Sequence, residues 1–197
     1  VRRVSRFTGS TGSTRMSYFS KFPLIKRNKE DVVDITRRAK LSNSIASTQY
    51  LPYTIKEGMR PEDVAHLYYD DAELAWLVLL ANNIIDPYTQ WPKSQTNLDA
   101  FIMKEYETKS GTTGKEVLTW AQNTSLTNNI KYYKSKYVPE IQINHATYTA
   151  NPTSEWRVVR VYDYEFELNE KRRIISLFNR NHVDQIGEML EKRLNGK

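Results

Sequence analysis

No cysteine occurs in the 197 residues, which excludes disulfides, thiolate metal sites and cysteine nucleophiles. Histidine is scarce: His66, His145 and His182 show no metal-ligand spacing among themselves or with acids. Long apolar runs are missing too, since the longest, residues 74–81, falls far short of the roughly 20 residues that cross a bilayer. The N-terminus shows no apolar signal-peptide core, so an unexported chain without membrane contact is expected. Residues 111–115, GTTGK, have two residues between the glycines and Glu116 after the lysine, whereas a phosphate-binding loop needs four and then Ser or Thr. A mobile loop or hairpin turn is the expectation there. Asp70, Asp71 and Glu73 contain the two acids that glycoside hydrolysis needs, but they sit at a helix–helix junction, where Asp serves as a cap. No serine stands in a nucleophile-elbow context. These absences lead to the expectation of a non-enzymatic chain with no cofactor and no metal.

Hydrophobic residues at 39% and aromatic residues at 12% are compatible with a modest core, enough for one ordinary domain with extensions. The net charge of +6 is unevenly placed: residues 1–40 hold 11 Lys/Arg against 3 Asp/Glu, and residues 41–197 hold 18 against 20. Such a basic arm could meet nucleic acid, but it lacks repeated aromatic platforms, and no helix-turn-helix, zinc-finger or basic-zipper pattern appears. An acidic protein neighbour explains the same charge. Residues 1–15 are basic and then Gly/Ser/Thr-rich, unable to bury a core, and are expected to lie along a partner, reaching about 50 Å when extended. Tyr18, Phe19, Phe22, Leu24 and Ile25 suit an edge strand or an extended clip around Pro23, and residues 30–40 read as a short helix carrying Val32, Val33, Ile35 and Ala39.

Residues 50–91 are the most legible. Tyr50, Leu51, Tyr53 and Ile55 favour a strand, and Glu57-Gly58 supplies a turn. Pro61 then opens a helix with Glu62 and Asp63 at its positive end and Val64, Leu67 and Tyr68 as its stripe. Asp70-Asp71 breaks this helix and caps the next, which runs from Leu74 through Trp76, Leu77, Val78, Leu79 and Leu80 almost without a polar face and should be buried. A further helix is expected over residues 94–107, capped by Ser94, with Leu98, Phe101, Ile102 and Tyr106 at helical spacing. Residues 115–156 suggest short strands and loops. Residues 158–168 fit either a half-buried strand or a helix with Tyr162, Phe166 and Asn169 as its stripe. Residues 173–178 read as a strand, and an amphipathic helix follows through Val183, Ile186, Met189, Leu190 and Leu194, with Asn181 as its cap.

The order Y-T-I-K-E-G, P-E-D-V-A-H-L-Y-Y, L-A-W-L-V-L-L-A-N-N-I-I-D-P resembles a LysM module. The run L-A-W-L-V-L-L-A-N-N-I-I-D-P-Y-T-Q-W, with N-E-K-R-R-I-I-S-L-F near the end, more particularly resembles the baseplate wedge subunit of contractile-tailed bacteriophages that carries a LysM-like core. The resemblance covers the middle and the end of the chain and is weak over residues 94–160. It implies an α+β fold with a LysM-like strand-helix-helix-strand core, a long insertion, an extended N-terminal arm and a C-terminal helix. The expected boundaries are an arm over 1–45, the core's first strand and helices over 46–93, an insertion over 94–170, and the returning strand and helix over 171–197.

The same resemblance implies a structural subunit that clamps neighbouring wedge proteins during assembly and holds the baseplate ring within the virion tail, built in the host cytoplasm. Its expected partners are other wedge subunits, the neighbouring wedge and sheath- or tube-proximal baseplate proteins. Thirteen tyrosines and four tryptophans, among them Tyr68, Tyr69, Tyr88, Trp91, Tyr132, Tyr133 and Tyr137 near loops, are residue types that anchor interfaces, although they pack cores equally well. Candidate contacts are Arg2, Arg3, Arg6, Phe7, Tyr18, Phe19 and Phe22 on the arm; Trp76, Tyr88 and Trp91 on a core face; and His182, Gln185, Met189 and Arg193 on the C-terminal helix. The alternative is a peptidoglycan-binding LysM module, which normally carries its second strand immediately after the second helix.

Overall fold

A computed structural model of the chain describes residues 22–27, 30–34 and 50–194. These form seven strands and nine α-helices, an α+β fold. They divide into two compact units. The first takes in the described residues up to Tyr53, Met59–Ile85 and those from Ser176 onward; the second comprises Thr54–Gly58 and Asp86–Ile175.

In the first unit, β1 (Leu24–Arg27) pairs antiparallel with β2 (Glu30–Val33), setting Leu24 opposite Val33 and Ile25 opposite Val32. Residues 30–33 are therefore strand where a helix was expected, since β-branched Val32 and Val33 find cross-strand partners in Ile25 and Leu24. Residues 35–40 of that expected helix lie outside the described residues.

Helix α1 (Pro61–Tyr69) opens as expected with Pro61 at its first position, and Asp63 accepts the Arg60 N–H at 2.8 Å. Its inward residues are Pro61, Val64 and Ala65, whereas Leu67, part of the expected apolar stripe, is 60% exposed. Asp70 ends the helix in the left-handed region at φ 61°, which Asp tolerates better than most residues. Asp71 caps the following 3-10 turn, Ala72–Leu74, by accepting the Glu73 N–H at 2.9 Å. Helix α2 (Ala75–Ala81) is buried at Trp76, Leu77, Val78 and Ala81.

Strands β3 (Tyr50–Thr54) and β7 (Ile174–Phe178) pair with one another although more than 100 residues separate them. The Tyr50 ring lies 5.0 Å from the Phe178 ring, and the Ile55 N–H donates to the Arg173 carbonyl at 2.9 Å, so the strands run antiparallel. Two side chains tie β7 to the first unit's helices. The Asn82 amide donates to the Ser176 carbonyl at 2.8 Å and accepts the Ser176 N–H at 2.9 Å, while the Tyr69 hydroxyl donates to the Phe178 carbonyl at 3.0 Å. Helix α9 (Val183–Leu194) adds Ile186, Leu190 and Leu194 to the buried set. Its approach is capped by Asn179, not Asn181: the Asn179 side chain accepts the Asn181 N–H at 3.0 Å at the start of the 3-10 turn Arg180–His182.

The second unit holds short helix α3 (Pro87–Gln90), then α4 (Gln95–Glu105), with Ser94 at its N-cap as expected, and the one-turn α5 (Glu107–Ser110). Gly111 closes α5 at φ 68°. The GTTGK stretch leads into α6 (Lys115–Gln122) instead of turning a hairpin. That helix is the main element the strand-and-loop reading of 115–156 missed; Val117, Trp120 and Ala121 are its buried face. A three-stranded antiparallel sheet follows, with β4 (Ile130–Ser135) between β5 (Gln142–Ile143) and β6 (Trp156–Arg160), and α7 (His145–Ala150) set between β5 and β6 in the chain.

Helix α8 (Val161–Arg173) begins directly after β6, so residues 158–168 are strand to Arg160 and helix beyond it. Leu98, Ile102, Tyr106, Val117, Trp120, Ala121 and Val161 form one buried cluster. Burial without water requires each polar group inside to find a partner. Asn169, 2% exposed, answers this by accepting the Lys93 N–H at 2.7 Å and donating to the Lys93 carbonyl at 2.9 Å.

Candidate interaction surfaces

The predicted contact residues fall into three groups. Arg2, Arg3, Arg6, Phe7, Tyr18 and Phe19 lie outside the described residues. Phe22 is described and only 7% exposed, so its ring is used within the chain.

Trp76 and Trp91 are 8% and 7% exposed, and an indole so covered cannot present a rigid face to a neighbour. The core face assigned to Trp76, Tyr88 and Trp91 is thus corrected to Tyr88 alone, 92% exposed at the start of α3, where Asp86 accepts its N–H at 3.0 Å. For Trp76 the physical reason is that the run 74–81 is apolar on all sides, so its helix is buried.

Gln185 and Arg193 are exposed on or beside α9, while His182 and Met189 are half-buried. The His182 ring shares a 3.0 Å hydrogen bond with the Gln185 side chain through Nδ1.

In the first unit the exposed apolar side chains are Leu24, Ile25, Val32, Leu51, Leu67 and Ile85. In the second they are Tyr88, Tyr137, Val138, Ile141, Phe166 and Ile174. Of the loop aromatics singled out from the sequence, Tyr88 and Tyr137 face solvent, whereas Tyr133 is 3% exposed and stacked 3.9 Å from Tyr148.

An open groove of about 500 Å³ in the second unit is lined by Thr54, Phe166, Glu167, Glu170, Lys171, Arg173 and Ile174. Arg173 binds Glu57 and Glu170 at its margin, and Glu167 binds Lys134 and Arg157. The hydrogen bond from Arg173 holds the Glu57 carboxyl below its ordinary range, and the same bond raises the Arg173 guanidinium. These four pairs account for Glu167, Glu170 and Arg173, while Lys171, which also lines the groove, has no ion pair among the described residues.

Elsewhere in this unit the Lys131 ammonium lies 4.8 Å from the centres of both the Tyr106 and Tyr164 rings, and burial lowers its pKa. Tyr106 donates to Glu165 at 2.5 Å, and burial followed by that bond raises its hydroxyl pKa. The cation–ring arrangement fastens β4 to its surroundings. Among the described residues no group of three or more His, Asp or Glu could hold a metal ion, and no helix is long and apolar enough to cross a membrane.

The exposed apolar side chains of both units are surface that other proteins could cover. The family model for base plate wedge protein 53 matches residues 18–192, and the chain belongs to that family of structural baseplate proteins. It is similar to the baseplate wedge protein gp53 of Enterobacteria phage T4, at 30% identity over 82 residues, which is 41% of this chain and 42% of that protein. The aligned stretch thus spans well under half the length of that relative.

Proposed function

We propose that the chain is a non-enzymatic structural subunit of a phage tail baseplate wedge, clamping neighbouring wedge proteins together during assembly and holding the baseplate ring. The observation that carries this reading is the family match over residues 18–192. Its location is then the virion tail, and its partners are other wedge subunits, the neighbouring wedge and baseplate proteins near the sheath or tube.

The strand-helix-helix unit of β3, α1 and α2, with β7 as the returning strand, serves as a LysM-like core, and residues 94–170 are its insertion. The basic arm, with Arg2, Arg3, Arg6 and Phe7, engages an acidic neighbour; Tyr88 and the α9 residues Gln185 and Arg193 supply separate contacts. Several modest surfaces on one chain hold a ring through avidity, provided that all engage at once.

The test compares the full-length chain with a form lacking residues 1–15 for co-assembly with neighbouring tail proteins, by size-exclusion light scattering at low and high salt, beside a peptidoglycan pull-down. Arm-dependent, salt-sensitive co-assembly without glycan capture is the expected result. Saturable glycan binding by the monomer, without co-assembly, overturns the proposal.

A further inference from the structure

The connection between β4 and β5, residues 135–141, carries three exposed apolar side chains within five residues: Tyr137 at 77%, Val138 at 44% and Ile141 at 50%. A loop that only reverses the chain has no need of them. Its backbone is also fixed. Ser135 Oγ accepts the N–H groups of both Tyr137 and Val138 at 3.2 Å, the Ile141 N–H donates to the Val138 carbonyl at 3.0 Å, and the Ser135 N–H donates to the Ile141 carbonyl at 3.0 Å. From outside the loop, the Lys136 N–H donates to the Glu155 carbonyl at 2.9 Å and the Lys136 ammonium to the Ser154 carbonyl at 2.6 Å. The ordering cost that a flexible loop incurs on association has thus been met on folding.

The charged groups around this tip differ in how far they are already engaged. Lys136 is engaged by Ser154, and Lys134 and Arg157 are engaged by Glu167. Glu140, within the loop, and Glu155, at its base, have no ion-pair partner among the described residues. The tip therefore offers an apolar knob beside two carboxylates that are not ion-paired, with the Lys136 ammonium still charged but already held by a backbone carbonyl. Tyrosine is among the residues that dominate interface energy, and charges at a rim set register and partner choice.

We infer that residues 135–141 form a preformed knob that seats in an apolar socket rimmed by lysine or arginine on a neighbouring baseplate protein. This rests on the wedge reading above. Tyr137, Val138 and Ile141 enter the socket, and Glu140 and Glu155 meet its basic rim.

The experiment places a photo-cross-linking benzoylphenylalanine at position 137 of the full chain, produced during phage infection, and maps the cross-linked peptide in purified baseplates. A single dominant partner site, apolar and bordered by Lys or Arg, is expected, and Glu140→Lys with Glu155→Lys should lower the cross-link yield by at least about tenfold through like-charge repulsion. Tyr137→Ser with Ile141→Ser should lower incorporation into baseplates while leaving thermal unfolding of the free chain in place, because both side chains are exposed.

If the chain is incorporated but position 137 gives no cross-link, scattered ones, or one to an acid-rimmed site, the knob is overturned and the wedge reading stands. Absence of the unmodified chain from purified baseplates overturns both.

Discussion

Asn82 is the side chain on which the closing of the first unit depends most directly. It stands at the C-cap of α2, where its amide nitrogen donates to Val78 and Ser176 carbonyls, each at 2.8 Å, and its oxygen accepts the Ser176 N–H at 2.9 Å. A single amide therefore matches both backbone groups of a residue 94 positions away. Replacing it by Leu removes three hydrogen bonds and leaves the Ser176 groups half-buried without partners. Net contributions of about 1 kcal/mol per bond, with a further penalty for the orphaned groups, predict a loss of about 3–4 kcal/mol. That is a large share of the 5–15 kcal/mol typical of a folded domain, yet it should leave the fold populated.

Urea unfolding of Asn82→Leu should show a midpoint lowered by about 1–2 M with an unchanged slope, and the Ser176 amide should lose its protection from hydrogen exchange. Asn82→Asp sharpens the test. Its carboxylate still accepts the Ser176 N–H but turns an unprotonated oxygen toward two carbonyls, which raises its own pKa and disfavours the folded state at neutral pH. Relative to the parent, this variant should regain stability as the pH falls through that raised pKa, because the protonated acid donates one bond again. A midpoint for Asn82→Leu within about 0.3 M of the parent, with Ser176 still protected, would refute the assignment of β7 docking to this amide.

Tyr69 and Tyr106 both have hydroxyl pKa values raised above the ordinary 10.0, chiefly by burial. Their contribution to stability is therefore complete below pH 10 and declines as the pH climbs toward the folded values; alkaline titration of tyrosinate absorbance should show the loss, and Tyr106→Phe should flatten it. Glu57 moves in the opposite sense: held low by Arg173, it adds stability above its unfolded pKa and loses it as the pH falls through the folded value, so Glu57→Gln should shrink the acid-side slope of the unfolding midpoint. The effect should be small and salt-sensitive, since the Glu57 side chain is 53% exposed. Leu177, fully buried on β7, should cost about 2–5 kcal/mol on Leu177→Ala, read by thermal or urea unfolding. Lys131→Met should be tolerated within about 1 kcal/mol, because the ring contacts it loses are offset by relief of the desolvated charge.

Where the chain was legible, local chemistry and tertiary structure agreed. Pro61, the acidic first turn, Asp70 at positive φ and Asp71 as a cap are all rules of a few residues' reach, and the structure follows them. Helix α4 was equally readable from Ser94 and its buried Leu98 and Ile102. Helix α6 was not, because its cap is Gly114 at φ 57°, outside the Ser/Thr/Asp/Asn signature, and its residues lie in a stretch dominated by Thr and Asn. The switch from β6 to α8 at Arg160 was hidden for another reason. Residues 158–168 alternate well enough for a strand, and only the pairing of 156–160 with β4 decides where extended backbone stops. For the contact surfaces, residue type was a poor guide to exposure: tryptophan serves cores and interfaces alike, and here Trp76 and Trp91 went inward.

Burial also separates what a contact protein needs for its own fold from what it offers to others. The aromatic side chains with structural work are tied by polar atoms: Tyr69 to Phe178, Tyr106 to Glu165, Tyr133 to His145. Tyr88 and Tyr137, at 92% and 77% exposure, stand on short segments whose backbone is pinned by Asp86 and Ser135 instead. In each case a small polar side chain accepts backbone N–H groups and so fixes the direction in which the ring leaves the surface. Removing the anchor should therefore weaken association as much as removing the ring. Ser135→Ala frees the Tyr137 and Val138 amides, and it should slow assembly into baseplates without lowering the unfolding free energy by more than about 1 kcal/mol, whereas Tyr137→Ser should leave the loop ordered and fail in assembly alone. Full assembly by Ser135→Ala, with the loop shown mobile by amide exchange, would break the link between a fixed backbone and recognition.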